Sequence, residues 1–257
     1  MDYQVTTAPM HEPISLETAK RHLRIEHSDD DAAIGPVLGA ARAWAEGYMH
    51  RACLWQTVTA RRDDFADEMI VPLGPLIAVA SITYVDGDGV TQTLDTSVYD
   101  VDAVHEPGRI IIGYNQTWPT CRGHHHDVTI TYYAGHAAVC TRSVDALAVN
   151  GHVYRVNDVV QLYNIGGALP AGLAAATTYY VRAVSGHSIE LAAAEGGALV
   201  APTDDGTGTH YIDALPGHIA SGILLRLTDL WANRGDEDLP VSRAIRDMLG
   251  LSRMVTI

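Results

Sequence analysis

Lysine is almost absent from this 257-residue chain: Lys20 stands alone among 17 basic residues, against 31 acidic ones, for a net charge of −14. A protein that grips nucleic acid neutralises phosphates with a basic face, and this chain as a whole has little to offer. Like-charge repulsion instead lets a nucleic acid pass without sticking. Scarce lysine beside abundant arginine and alanine fits a GC-rich genome better than a function. Cysteine is also sparse. Cys53, Cys121 and Cys140 are too few and too scattered for a disulfide framework, and they fit a reducing compartment. No apolar run approaches the roughly 18–20 residues that span a bilayer, so no membrane segment is expected. The opening MDYQVTTAPMHEP lacks a basic n-region and an apolar h-region, so no secretory leader is expected and synthesis in the cytoplasm is. One phenylalanine stands against 12 tyrosines, for which we have no physical account. What is present is ample apolar material: 47% apolar and 19% charged residues support a real core and exclude wholesale disorder. The length allows one large domain or two modest ones.

The first fifty residues read as helical. Ser15 caps a helix, with Thr18 in the fourth slot of an imperfect capping box, and Leu16, Ala19 and Leu23 share a face with His22. Ser28-Asp29-Asp30-Asp31 caps a second, placing carboxylates at its positive end. Ile34, Val37, Leu38, Ala41, Ala45, Tyr48 and Met49 recur at helical spacing along it, although Gly35-Pro36 blurs its start. From Leu54 to His136 the period changes to that of strands: 56–61, 69–73, 78–85, 90–94, 99–102, 109–112 and 127–133. Asp86-Gly87-Asp88-Gly89 makes a hairpin turn between the third and fourth of these. From about Cys140 to Ile212 the texture shifts again. Turn pairs such as Asn150-Gly151, Gly166-Gly167 and Gly196-Gly197 punctuate short strands at 159–163, 178–184 and 188–191, which predicts a small all-β module. After Pro216 a helix runs over 219–234, with Ile223, Leu227, Leu230 and Trp231 on one side and Gly235 as the residue after it. Asp236-Glu237-Asp238 forms an acidic link. Pro240 then starts a short helix from Val241 to Leu249, stopped by Gly250.

Three chemical readings compete with plainer ones. Cys121-x-x-His124 followed by His136-x-x-x-Cys140 has zinc-like spacing, and thiolate plus imidazole is a suitable ligand set. The plainer reading is a polar hairpin loop with incidental cysteines, and we expect no metal. No G-x-S-x-G elbow is present, so no hydrolytic enzyme is expected. Asp86-Gly87-Asp88-Gly89 resembles part of a calcium loop but lacks the later glutamate, which leaves a hairpin turn.

Several motifs, in order, carry a resemblance. They are Ile14-Ser15-Leu16-Glu17 with Ala19-Lys20 and His22-Leu23-Arg24-Ile25, then Asp29-Asp30-Asp31, then Val71-Pro72-Leu73 with Pro75-Leu76. Ile82, Tyr84-Val85-Asp86, Tyr99, Val101-Asp102, Val128, Ile130, Tyr132 and Ala134-Gly135 follow, and the helix at 219–234 closes the set. The chain thereby resembles the head–tail connector (adaptor) proteins of long-tailed bacteriophages and gene transfer agents. In that family the Tyr-x-Ala-Gly strand runs almost directly into the C-terminal helix. Here about seventy residues intervene, resembling a β-rich module of phage structural proteins through Leu169-Pro170-Ala171-Gly172-Leu173, Thr178-Tyr179-Tyr180-Val181 and Gly206-x-Gly208-Thr209-His210.

The resemblance implies an α+β fold: a helical adaptor core with a strand-rich middle section, interrupted by a small all-β inserted domain. The core's first part would be 1–139, the insert 140–212, and the C-terminal helix with its portal-facing tail 213–257. It implies a non-enzymatic virion-neck protein without cofactors. Its partners would be the portal, a stopper or tail-completion protein, and further copies of itself in a dodecameric ring through which double-stranded DNA passes unbound. The portal contacts would be Val241, Arg243, Ile245, Arg246, Met248, Leu249 and Arg253, on a segment too short to be ordered alone. The alternative is a virion binding module, whose β insert recognises a glycan or another virion protein.

Overall fold

In a computed structural model, residues 2–152, 154–233 and 240–254 are described. They form an α+β chain that divides into two units, Met1–Pro9 with His50–Gly135 and Met254–Ile257, and Met10–Met49 with His136–Arg253.

The first unit is built of antiparallel strands. β1 (Asp2–Thr7), β2 (Gln56–Arg62), β4 (Leu76–Val85), β5 (Thr91–Thr93) and β8 (Val128–Ala134) make a five-stranded sheet in the order β1-β2-β8-β4-β5. β3 (Glu68–Ile70), β6 (Tyr99–Asp102) and β7 (Arg109–Ile112) make a three-stranded one, ordered β3-β7-β6. The alternation read from the sequence is the burial pattern observed: in β8, Val128, Ile130, Tyr132 and Ala134 point into the core and Thr129, Thr131 and Tyr133 away. Tyr132 is fully buried, and its hydroxyl accepts the Leu73 amide at 3.2 Å, so the ring fills the core without stranding its polar tip. Gly135 ends the strand at φ 137°, where a Cβ would run into the Leu54 carbonyl. One expectation fails here. Residues 2–7 are not helical but an edge strand, paired Tyr3 to Ala60 and exposed along its whole length. A strand without a buried face leaves no apolar alternation to detect.

The second unit combines four helices with a sheet. Ser15 caps α1 (Leu16–Leu23), its hydroxyl accepting the Thr18 amide, as expected. α2 (Asp31–Met49) buries Ile34, Leu38, Ala41, Ala45 and Met49 along one stripe. Pro36 sits inside it. The carbonyl that loses its amide partner there belongs to exposed Ala32, where water can replace it. Lys20, the one lysine, is buried and bonds Asp31 at 2.7 Å, tying α1 to the start of α2. That carboxylate holds the Lys20 ammonium above the ordinary lysine range.

β9 (Ala137–Ser143), β10 (Ala146–Val149), β11 (Val159–Val160), β12 (Leu162–Ile165), β13 (Tyr179–Ser185), β14 (Ser188–Ala192) and β15 (Thr209–Asp213) form one seven-stranded antiparallel sheet, ordered β11-β13-β14-β10-β9-β15-β12. The strand expected at 159–163 is in fact two, broken at Gln161. The amide of that residue donates to Asp213 Oδ2 at 2.8 Å instead of to a ladder partner. Buried Leu147, Val149, Val160, Leu162, Val181, Ile189, Leu191 and Ile212 make the sheet's own core.

α3 (Gly217–Ala232) buries Ile219, Ile223 and Leu227 and leaves Leu230 and Trp231 half-exposed. Gly235 and the 236–238 link lie outside the described residues. α4 (Arg243–Gly250) starts later than expected. Ser242, not Pro240, is the cap, its hydroxyl accepting the Ile245 amide.

Candidate assembly interface

The expected portal contacts fall into two sets. Ile245 and Leu249 are fully buried, on the side of α4 that packs against α2 and α3, so they are core and not docking surface. The packing is close because α3 carries Gly222 at the crossing, where a Cβ would stand 2.7 Å from Leu249 Cδ2. This corrects the expectation that the segment lacks order until a partner covers it: an amphipathic helix of eight residues holds its place through tertiary packing. Arg243, Arg246 and Arg253 are exposed, and Val241 and Met248 are half-exposed. Arg243 is 92% exposed and pairs with Asp247 at 3.4 Å.

A second feature was not foreseen. Trp44 and Tyr48, one turn apart on α2, stack with centroids 5.3 Å apart. The Arg226 guanidinium from α3 lies 5.0 Å over Trp44, and that of Arg253 lies 5.1 Å over Tyr48. The Tyr48 hydroxyl reaches the Arg246 carbonyl at 3.5 Å. The result is a ridge of two stacked rings, each covered by one guanidinium, a favourable arrangement for a ring quadrupole. It joins α2, α3 and the segment after α4. The four-residue spacing of Trp44 and Tyr48 was the available signal, but it is also the spacing of a core face.

The zinc candidates are not assembled. Cys121 and His124 belong to the first unit, His136 and Cys140 to the second. Among the described residues, no group of three or more His, Cys, Asp and Glu is arranged to hold a metal ion. Cys140 lies in the core of the seven-stranded sheet, where burial pushes its thiol up to about 12. Burial, with the Asp64 carboxylate beside it, pushes Cys121 up to about 11. The histidine run is a loop tied down by carboxylates. Asp127 Oδ2 accepts the His124 amide at 2.7 Å and its Oδ1 the Arg122 guanidinium at 3.0 Å, while Asp63 accepts the His126 amide and faces the His125 ring. The amide bonds hold both carboxyls below the usual carboxylate range. Asp86 likewise closes the 86–90 hairpin, accepting amides from Asp88 and Val90 and the Gln92 side chain. Its oxygens are spent on the turn.

A buried polar knot holds the second unit. Asp213, at the end of β15, faces His11 Nε2 at 3.0 Å with both side chains about 95% buried, and its carbonyl accepts the Tyr154 hydroxyl at 2.6 Å. No described helix is long and apolar enough to cross a membrane.

Residues 13–94, which span α1 to the end of the β4–β5 hairpin, match the family model of phage gp6-like head-tail connector proteins. This stretch carries the head-tail connector pattern. The resemblance read from the motifs is thus borne out for that stretch. No curated protein matches the chain. Among solved structures, the chain is similar to a chain of the neck of an empty GTA particle computed with C6 symmetry, with a TM-score of 0.59 and 16% identity. It is also similar to one in the virion of a native gene transfer agent (GTA) particle, TM-score 0.58, and to one in the neck of a native GTA particle computed with C12 symmetry, TM-score 0.57, each at 16% identity. In all three, the match covers 100% of this chain and 97% of the other. At that identity the likeness is one of fold, and it extends through the seventy residues that the connector pattern lacks.

Proposed function

We propose that this protein is a structural head–tail adaptor: a subunit of a neck ring that joins a portal to a stopper or tail-completion protein and lets double-stranded DNA through. The observation that carries the reading is the coincidence of two independent likenesses, the connector pattern at 13–94 and a full-length fold match to GTA neck chains. The charge supports it. A lumen must not grip the DNA that slides through it, and a subunit at −14 repels phosphate. Function here is geometric, without catalysis or cofactor. A heterologous contact repeated by a closing rotation makes a ring, and the ring's ends present the surfaces for portal and tail. For the portal end we propose Arg243, Arg246 and Arg253 with the half-exposed Val241 and Met248. Ile245 and Leu249 act behind them, by holding α4.

The β-rich segment is best read as an insert mounted on this core. β9 and β15 are antiparallel neighbours with Ala137 opposite Asp213, so the chain enters and leaves the sheet at adjacent points. That is the geometry in which a module can be inserted without opening a core. Electron microscopy of the purified chain, alone and mixed with portal-bearing heads, tests the adaptor reading. Rings seated at the portal vertex are expected. A chain that stays monomeric and ignores heads under both conditions overturns it.

A further inference from the structure

The side of α2 turned away from its buried stripe is bare. Its exposed positions are Ala32, Ala33, Pro36, Ala40, Ala43 and Gly47, without one charged or long side chain over about four turns. The outward stripe of a helix that meets only water is normally its charged one. Along one flank runs the Arg226–Trp44–Tyr48–Arg253 ridge, and along the other Arg42, paired with Glu12 and Glu46 at 2.7 Å each. The floor is therefore flat and apolar and one wall is cationic.

We infer that this face of α2 is the seat of a second copy of the chain, which lays its α1–α2 corner over Ala40, Ala43 and Gly47 and against the arginine ridge. The inference rests on the adaptor reading and names the contact that would close its ring. Charge complementarity selects the occupant. Residues 24–30 of the corner carry three carboxylates, Glu26, Asp29 and Asp30, against one exposed arginine, Arg24, and are net acidic. At the other end of α2, Arg246 and Arg253 are exposed and Arg226 half-exposed. The two ends lie about 25 Å apart along the helix, too far to satisfy each other within one subunit. Two different surfaces meeting head to tail form a heterologous contact, the kind that closes rings, whereas an isologous contact stops at a dimer. Small residues at the crossing let a helical corner approach closely, as Gly222 does between α3 and α4.

Two variants read the two halves of the contact. Ala40→Glu/Ala43→Glu puts carboxylates on an exposed face built of good helix positions, so the free subunit should keep its circular dichroism and melting temperature. Ring formation, read by native mass spectrometry and on heads by electron microscopy, should fall at least about tenfold because the charges would be buried in the contact. Ala40→Ser/Ala43→Ser should still assemble. Glu26→Arg/Asp29→Arg and Arg226→Glu, the one ridge arginine with no part in the portal surface, should each fail to form free rings alone and co-assemble when mixed, since mixing restores opposite charges across the contact. Wild-type rings with undiminished rings from Ala40→Glu/Ala43→Glu overturn the inference and leave the adaptor reading intact. Failure of the mixed charge-reversal pair, with both variants folded, likewise overturns the assignment of the corner. Absence of rings from the wild type, alone and on heads, overturns the adaptor reading and this inference with it.

Discussion

Leu249→Ala tests whether the C-terminal helix belongs to the fold or hangs from it. Leu249 is fully buried on α4, and its Cδ2 sits where Gly222 of α3 leaves room. Cutting a fully buried leucine back to alanine removes its transfer free energy and leaves a cavity, at a cost of about 2–5 kcal/mol. With a melting shift of about 2–4 °C per kcal/mol for chains of this size, a loss of ~3 kcal/mol lowers the transition by about 6–12 °C. Gly222→Ala sharpens the test because its sign should depend on the partner. In the wild type the new methyl overlaps Leu249, and overpacking of about 1–3 kcal/mol outweighs the gain of about 1 kcal/mol from replacing a helical glycine. In the Leu249→Ala background the overlap is gone, so the same substitution should stabilise by about 1 kcal/mol. Urea titrations of the four proteins give the coupling between the two sites directly. A Leu249→Ala variant within 0.5 kcal/mol of wild type, or a Gly222→Ala effect identical in both backgrounds, would refute the packing argument, at the level of surface substitutions.

Further expectations follow from the same observations. Arg243→Glu/Arg246→Glu should leave the melting temperature within about 2 °C, since exposed pairs contribute little, while abolishing attachment to portal-bearing heads; docking at wild-type affinity removes these residues from the portal surface. Asp63, Asp102 and Asp127 are held below the usual carboxylate range, chiefly by the amides of His126, His105 and His124. Their stabilisation is therefore complete above the unfolded pKa of about 4 and lost as the pH falls through the lower folded values, so melting should be flat from pH 7 to 5 and drop below about 4, less steeply in Asp127→Asn. Thiols raised to about 11 and about 12 stay protonated at neutral pH, so Cys121 and Cys140 should resist iodoacetamide until the chain is unfolded, and chelators should leave the melting temperature unchanged. Replacing residues 140–212 with a short Gly-Ser linker should leave a chain that melts cooperatively, because Ala137 and Asp213 are already neighbours; loss of soluble expression would argue that the sheet is integral.

Where the chain was legible, one periodicity dominated. Half-buried strands such as β8 and the capped start of α1 follow from alternation and from a serine at the right place. The misses have physical causes. β1 buries nothing, so it carries no pattern. β9 and β15 hide in a stretch of alanine, threonine and glycine whose strand propensity is modest, and they form because each finds the other and their neighbours. The break at Gln161 is set by Asp213, fifty-two residues away, and no local window contains it. For α4 the amphipathic face was correctly seen, but a short helix was judged on its own stability, when its stability comes from a glycine on another helix.

The same limit explains why the candidate interface was only half readable. Apolar periodicity marks the stripe of α2 that faces the core: it located Ile34, Leu38, Ala41, Ala45 and Met49 without the structure, and it wrongly added Val37 and Tyr48, which are half-exposed. A second apolar stripe on the same helix, made of alanine, glycine and proline, adds little to that pattern because these side chains carry small transfer free energies. Only exposure distinguishes an alanine that packs inside from one that waits for a neighbour. Arginines are similarly ambiguous in sequence: Arg42 closes an internal ion pair, Arg226 and Arg253 cap aromatic rings, and Arg243 reaches into solvent. Exposed arginines occur along the described chain, Arg21, Arg24, Arg61 and Arg182 among them, and what sets Arg246 and Arg253 apart is the bare face of α2 beside them. For a subunit whose work is to fit between neighbours, the informative residues are thus exposed positions that carry no charge and the arginines beside them.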